Sequence, residues 1–403
     1  MDAIGRLALH VKPHAEAKLK SGHPWLFDAS IVKQKPETGK AGDIAVIYDR
    51  HNRLLALGLY DPTSPIRVKV VHLGGGVRLD DGAWLMERVA QAVARRSPLA
   101  QSGITNGYRL IHGENDGLPA LILDRYAETL VLKLYSPIWL PYLEALQRAI
   151  IAAMPASERL ILRLSRDLQK HKPTLHDGQT LFGASLNAPV TFLENGLSFT
   201  ADVLKGHKTG FFFDQRDNRL LASERANGRD VLDVFAYVGA FSVYCAWGGA
   251  KSVTSVDISA PALAQVQAHL ALNVAVTANT AHRVLAGDAF ALLRDLHRQN
   301  ARYDMLIIDP PTFASSQQDI PRALSAYREL ARLGMPLLKC DGVFVMASCT
   351  ARVSADDFFR AVNDGVRAGG RSLHEEARTA HALDHPISFP EGAYLKCLFG
   401  TVS

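Results

Sequence analysis

From Arg229 to its end the chain alternates short apolar runs with helix-periodic stretches, and no other feature restricts its fold so tightly. Apolar runs at 230–235, 252–257, 282–286, 303–309, 342–348 and 393–400 are separated by helical patterns near 239–247, 259–272, 288–298, 320–338 and 354–368. Strand and helix alternating in this way predict an α/β domain with a doubly wound parallel sheet. A further run around 371–377 is joined to the last by a loop rich in His and Pro, which suits an antiparallel strand closing the sheet.

Open α/β sheets hold ligands beyond the carboxyl ends of their strands, so those ends are where chemistry is sought. The first run passes through Asp233 and Phe235 to a turn at Gly239, where a residue without Cβ lets backbone approach a ligand at a helix start. A dinucleotide fingerprint would need glycines where Phe235 and Tyr237 stand, so a nicotinamide enzyme is disfavoured. The second run ends in Asp257, placed to accept from two ribose hydroxyls, and the third in Gly287-Asp288-Ala289, placed to meet an adenine amino group. An Asp after a strand is also a common helix N-cap. Three in order at successive strand ends favour a nucleotide cofactor.

The fourth run ends in Asp309-Pro310-Pro311 and the fifth in Ser348-Cys349-Thr350. A lone strand cysteine often behaves as a small buried hydrophobe. Paired with the Asp309 loop, Cys349 reads instead as a thiol nucleophile facing a substrate loop.

Residues 6–73 read as β segments Leu7–Val11, Ala41–Tyr48, Leu54–Tyr60 and Ile66–Val71, a small all-β barrel, with Gly74-Gly75-Gly76 as linker. A helix is expected over Trp84–Arg96. Next come a hairpin of 120–123 and 129–134 joined by Asp124-Arg125-Tyr126, a helix over Trp139–Met154 and a strand at Arg159–Leu164, an α+β middle domain. The cluster His112, Glu114, Asp116 is flanked by Gly113 and Gly117 and reads as a turn rather than a metal site.

A chain of 403 residues with 48% hydrophobic content should form two or three domains. Met1–His10, mixing Asp2, Arg6 and His10, does not read as a secretory signal, and no apolar run approaches a bilayer span, so a cytoplasmic protein without membrane partners is expected. Cys245, Cys340, Cys349 and Cys397 are too few and irregularly spaced for disulfides or zinc. The net charge of +5 is uneven: residues 1–75 hold 11 Lys+Arg against 7 Asp+Glu, and Arg159, Arg163, Arg166, Lys170 and Lys172 form a second basic stretch. Such clustering fits a polyanion partner or a solvated charged face.

The ordered features Asp233-x-Phe235-x-x-x-Gly239, Asp257, Asp288, Asp309-Pro310-Pro311 and Ser348-Cys349-Thr350 resemble the successive motifs of class I S-adenosylmethionine-dependent methyltransferases. More narrowly, the whole chain is similar to bacterial RNA 5-methylcytosine methyltransferases of the large-subunit rRNA methyltransferase I family. That likeness extends to Lys205-Gly206-His207-Lys208-Thr209-Gly210, Phe213-Asp214-Gln215-Arg216-Asp217, Asp384-His385-Pro386 and Pro390-Glu391-Gly392. Two departures stand out: Ala240 replaces a frequent second glycine, and no cysteine follows Asp309-Pro310-Pro311 as in the other main group of RNA cytosine enzymes.

The resemblance implies a PUA-like RNA-binding β domain (1–75), an α+β middle domain (76–195) and a Rossmann-like methyltransferase domain (196–403). It implies S-adenosyl-L-methionine as cofactor, ribosomal RNA, 23S in particular, as partner, and Asp214 and Gln215 beside the cofactor. Oligomeric state is left open, a homodimer being one option. Cys349 would add to carbon 6 of cytosine so that carbon 5 can take a methyl group, and Asp309 would stabilise the charge that develops on the ring. Pro310 and Pro311 would fix the loop over the base. Lys205 and Lys208 sit in a stretch to Arg219 with five basic side chains, counting His207, beside Phe211, Phe212 and Phe213; it reads as a phosphate-contacting loop or a solvated turn. The rivals are an RNA amino-group methyltransferase using the Asp-Pro-Pro loop, a catalytically idle RNA-binding or assembly protein, and a small-molecule methyltransferase.

Overall fold

The computed structural model describes residues 4–80, 82–171 and 175–403; Asp2 and Lys172 lie outside them. The chain packs as two units. The first comprises Met1–Gly196, Thr200–Phe213 and Leu383–Gly392, and the second Leu197–Phe199, Asp214–Ala382 and Ala393–Ser403.

In the first unit a six-stranded sheet runs Trp25–Leu26, Val68–Leu73, Leu54–Tyr60, Ile44–Tyr48, Arg6–Val11, Ile31–Lys35. It is not all-β. Pro13–Lys20 forms a helix with Pro at its start and Lys18 and Lys20 in its last turn, and it buries Ala15 and Leu19 in the barrel core. Only two of its side chains give an apolar signal there, and a two-residue strand is too short to alternate, so neither shows as a sequence period.

A five-stranded sheet follows in the order Gln179–Phe182, Arg159–Leu164, Thr129–Leu134, Leu121–Tyr126, Gly107–His112, backed by helices Ala83–Arg95 and Leu143–Ala153. Asp124-Arg125-Tyr126 is not the expected turn: it continues the strand, and the chain reverses at Ala127, which has φ 54°. Asp124 tolerates a buried strand position because Arg109 donates to its two oxygens at 2.8 and 3.0 Å. That pairing bridges residues far apart in sequence, so the local pattern could not show it. Gly113–Asp116 is a single 3-10 turn, as expected. Arg96 donates to both oxygens of Asp116, and Glu114 accepts from the Trp25 indole.

The second unit is built on a seven-stranded sheet whose strands are β1 Asp230–Val234, β2 Ser252–Asp257, β3 Ala281–Ala286, β4 Tyr303–Ile308, β5 Leu338–Ser348, β6 Leu373–Thr379 and β7 Lys396–Val402. Their order is β3-β2-β1-β4-β5-β7-β6. Strands β1 to β5 pair in parallel, and β7 lies antiparallel between β5 and β6. The α/β expectation holds to the closing strand. Strand order reverses between β1 and β4, which opens a crevice at their carboxyl ends. Among the described residues no helix is long and apolar enough to cross a membrane.

Candidate active site at the strand ends

Beyond β1 the backbone winds through three left-handed residues in five positions: Phe235 (φ 66°), Tyr237 (φ 50°) and Gly239 (φ 76°). Non-glycine residues hold such angles only where their surroundings insist. At Gly239 a Cβ would also meet Val266 Cγ1 at 2.4 Å, so the site admits glycine alone. Asp257, at the end of β2, organises the turn. Its Oδ2 accepts from the Tyr237 N–H and its Oδ1 from the Ser259 N–H, each at 2.8 Å.

Asp233 is wholly buried, and the Ser242 hydroxyl donates to it at 2.6 Å; Ser242 joins Ser255, and Ser255 joins His282. Burial pushes this carboxyl up to about 7 against the pull of Ser242. Asp288 is exposed and caps helix Ala289–Arg298 through the Ala291 N–H, whereas Ala289 packs into the apolar core. Phe235 is half-buried against the same core.

Asp309 follows β4 and its N–H donates to the Val234 carbonyl at 3.2 Å, which ties the ends of β4 and β1 together. Burial pushes its carboxyl up to about 7; the charges of Asp214 and Asp233 push the same way, and a hydrogen bond with Gln215 opposes them. Asp214 and Gln215 are buried, with Tyr394 donating to Asp214 at 2.8 Å and Asn218 to Gln215 at 2.6 Å. Pro310 is buried and Pro311 exposed.

The Asp309 loop meets the end of β5. Thr312 Oγ1 lies 3.4 Å from Cys349 Sγ, and the Phe313 N–H donates to Thr350 Oγ1 at 3.3 Å. Cys349 is half-buried. Two residues that sequence reasoning missed frame it. Tyr327, from helix Ile320–Gly334, joins Ser348 Oγ at 2.8 Å and Thr350 Oγ1 at 2.6 Å, clasping the strand on both sides of the thiol. Lys396, on β7, donates from Nζ to the Thr350 carbonyl at 2.6 Å and the Tyr394 carbonyl at 2.9 Å. Burial holds this ammonium down to about 8, with the nearness of Cys349 acting against it. A tyrosine in a helix and a lysine in a strand carry no signal of their own without the fold.

A family model described as S-adenosylmethionine-dependent methyltransferase matches residues 109–398, and one for a PUA-like domain matches residues 9–72. The chain belongs to the S-adenosylmethionine-dependent methyltransferase family. It is 43% identical over 400 residues, 98% of this chain and 97% of the relative, to a Deinococcus radiodurans protein named ribosomal RNA large subunit methyltransferase. To an Alteromonas mediterranea protein named ribosomal RNA large subunit methyltransferase I it is 36% identical, with 96% and 97% covered. A solved Streptococcus mutans structure, provisionally assigned as a SAM-dependent methyltransferase, shares the fold at TM-score 0.83 and 24% identity, over 98% of this chain and 99% of that one.

S-adenosylmethionine is the cofactor of this methyltransferase. Asp233, Phe235, Gly239, Asp257, Asp288, Ala289, Asp309, Pro310, Pro311 and Cys349 lie at or just beyond strand ends of the second unit, and Asp214 and Gln215 in a turn before β1 of the same unit, whereas Lys205 and Lys208 belong to the first. Among the described residues no cluster could hold a metal ion.

The buried Asp233 yields a stability prediction. Its carboxyl holds a proton in the native state that the unfolded chain releases from about 3.8 upward, so its charge costs stability progressively as pH rises from there to about 7. Asp233→Asn keeps an acceptor for Ser242 without the charge. The variant should melt higher than wild type at pH 8, by on the order of a few kcal/mol, with a smaller gain at pH 5. Equal gains at both pH values would show that Asp233 does not carry a buried charge.

Proposed function

We propose that this methyltransferase transfers a methyl group from S-adenosylmethionine to carbon 5 of a cytosine in large-subunit (23S) ribosomal RNA, through a transient bond between Cys349 Sγ and carbon 6. The observation that carries the reading is the 3.4 Å approach of Thr312, in the Asp309 loop, to Cys349. It puts a half-buried thiol and a carboxyl with a raised pKa at adjacent strand ends. The ribosomal substrate is supported by the names of the two relatives.

The residues fit the cofactor. The strained turn at 235–239 has no room for a Cβ at Gly239. Each Asp257 oxygen takes one backbone N–H and keeps a lone pair for a ribose hydroxyl. Ile258 beside it is 78% exposed, an apolar surface that an adenine face would cover. Asp288 would meet the adenine edge, Asp214 and Gln215 would flank the site from before β1, and Asp233 and Ala289 would shape it from beneath. Bound S-adenosylmethionine supplies an electrophilic methyl group.

The chain's own residues prepare the acceptor. Cys349 thiolate forms the Sγ–C6 bond, and the displaced electron pair reaches carbon 5 and ring nitrogen 3. Protonated Asp309 donates a hydrogen bond to that nitrogen as the charge grows. Once carbon 5 carries the methyl group, its proton leaves to a base and the Sγ–C6 bond breaks, restoring the thiolate. Phe313 favours this reading over the amino-group rival, since its half-buried ring packs against the core beside Tyr327, ring centroids 5.3 Å apart. Labelled S-adenosylmethionine and unmodified ribosomal RNA, followed by digestion to nucleosides, test the reading. Label in 5-methylcytidine is expected, and label on an exocyclic amine would replace this reading with the rival.

In the first unit Lys205 and Lys208 are exposed on either side of His207, whose imidazole is held below the usual range by partial burial and then by the charges of Lys208, Lys133 and Arg166. Arg163 anchors the loop through the Val203 and Gly206 carbonyls. Crowded cations of this kind favour a phosphate backbone. Reversing both Lys205 and Lys208 to Glu should weaken ribosomal RNA binding roughly tenfold or more and flatten its log–log salt slope by about two. Cofactor affinity should stay unchanged. An unaltered salt slope would remove both lysines from the RNA site.

A further inference from the structure

We propose that Lys396 is a positioning residue for the nucleophile, an ammonium that locks the strand end bearing Cys349 and stabilises its thiolate. The inference rests on the reading of Cys349 as nucleophile. Lys396 pairs opposite Ser348 in the antiparallel β5–β7 ladder, so its position relative to Cys349 is set by backbone register and not by a flexible loop. Its side chain is buried, at 4% exposure. Two N–H groups are spent on the Thr350 and Tyr394 carbonyls, and among the described residues no carboxylate pairs with the ammonium. A buried cation is costly unless a negative charge answers it. The neighbouring group able to supply one is Cys349, whose ionisation favours the charged form of Lys396. By reciprocity the ammonium favours the thiolate.

The other groups around the thiol do not do this. Tyr327, held neutral by burial, only joins Ser348 and Thr350. Thr312 offers a neutral hydroxyl. Asp309, when charged, opposes a second anion. On β7 itself Cys397 is buried and its thiol is pushed up, while His381 accepts from the Leu395 N–H and packs on Tyr394. Ionisation of Cys349 breaks its S–H bond and sends the proton to solvent, while Lys396 keeps all its protons.

The test is peptide-resolved iodoacetamide labelling of the full chain across pH, with exposed Cys340 as internal control. Lys396→Met should move the Cys349 midpoint up by about one pH unit and slow labelling at neutral pH about tenfold, leaving Cys340 unchanged; Lys396→Arg should restore most of the rate. A Cys349 midpoint identical in wild type and a folded Lys396→Met overturns the proposal. If Lys396→Met does not fold, lysine side-chain NMR of Cys349→Ala decides instead. There Lys396 should titrate lower than in wild type, and an unmoved titration overturns the proposal. Neither measurement uses RNA or cofactor, so they can fail while the cytosine reading stands, and the nucleoside assay can fail while they succeed.

Discussion

Cys349→Ala is expected to lower methyl transfer to ribosomal RNA by on the order of 10³-fold or more, with cofactor affinity unchanged. Carbon 5 of cytosine is too weak a nucleophile to take a methyl group until a bond at carbon 6 enriches the ring, and removal of the thiol leaves no group to make that bond. Ser348 and Thr350, the hydroxyls beside it, are buried and engaged with Tyr327, so neither can substitute. The side chain is half-buried and meets the Thr312 hydroxyl at 3.4 Å, so the variant should lose less than about 1 kcal/mol of stability. Undiminished transfer by the folded variant would eliminate covalent catalysis. A Cys349→Ser variant should sit near Cys349→Ala, because a hydroxyl at neutral pH ionises far less than a thiol.

The second large effect concerns Asp309. Its carboxyl, raised from 3.8 to about 7 by burial with Asp214 and Asp233 adding, is protonated below neutrality and charged above. If the protonated form donates to the ring, the transfer rate must fall as pH rises through about 7, opposite in sign to the gain from thiolate formation, and the profile should be a bell. Asp309→Ala should cost roughly 10²–10³-fold in rate at pH 6.5. Asp309→Asn keeps a donor that does not titrate, so it should retain part of the rate and lose the alkaline fall. It should also melt higher than wild type above pH 7, since a charge costing stability from about pH 3.8 upward is gone. An alkaline limb that survives in Asp309→Asn would assign that titration to another group.

Much of the second unit was legible because its signals are local. Six apolar runs and the helices between them lie within a few residues of their predicted places, and glycine at 239 reads directly as a position where no Cβ fits. The first unit was less legible. Helix Pro13–Lys20 buries two apolar side chains and so has no clear period, and Asp124 looks like a turn residue until Arg109, fifteen positions away, is seen to pair with it.

The candidate site divides in the same way. By itself the sequence determined which residues stand at the carboxyl ends of β1 to β5, because strand termini follow from short-range patterns of apolar side chains. Only the tertiary structure decided that the Asp309 loop reaches Cys349, that Asp233 lies beneath the turn and not on its surface, and that Tyr327 and Lys396 enclose the thiol. Those contacts join segments 21 to 46 residues apart through strand order and antiparallel register. Burial, which moves the protons on Asp309 and Lys396, depends on what packs over a residue and not on what precedes it in the chain.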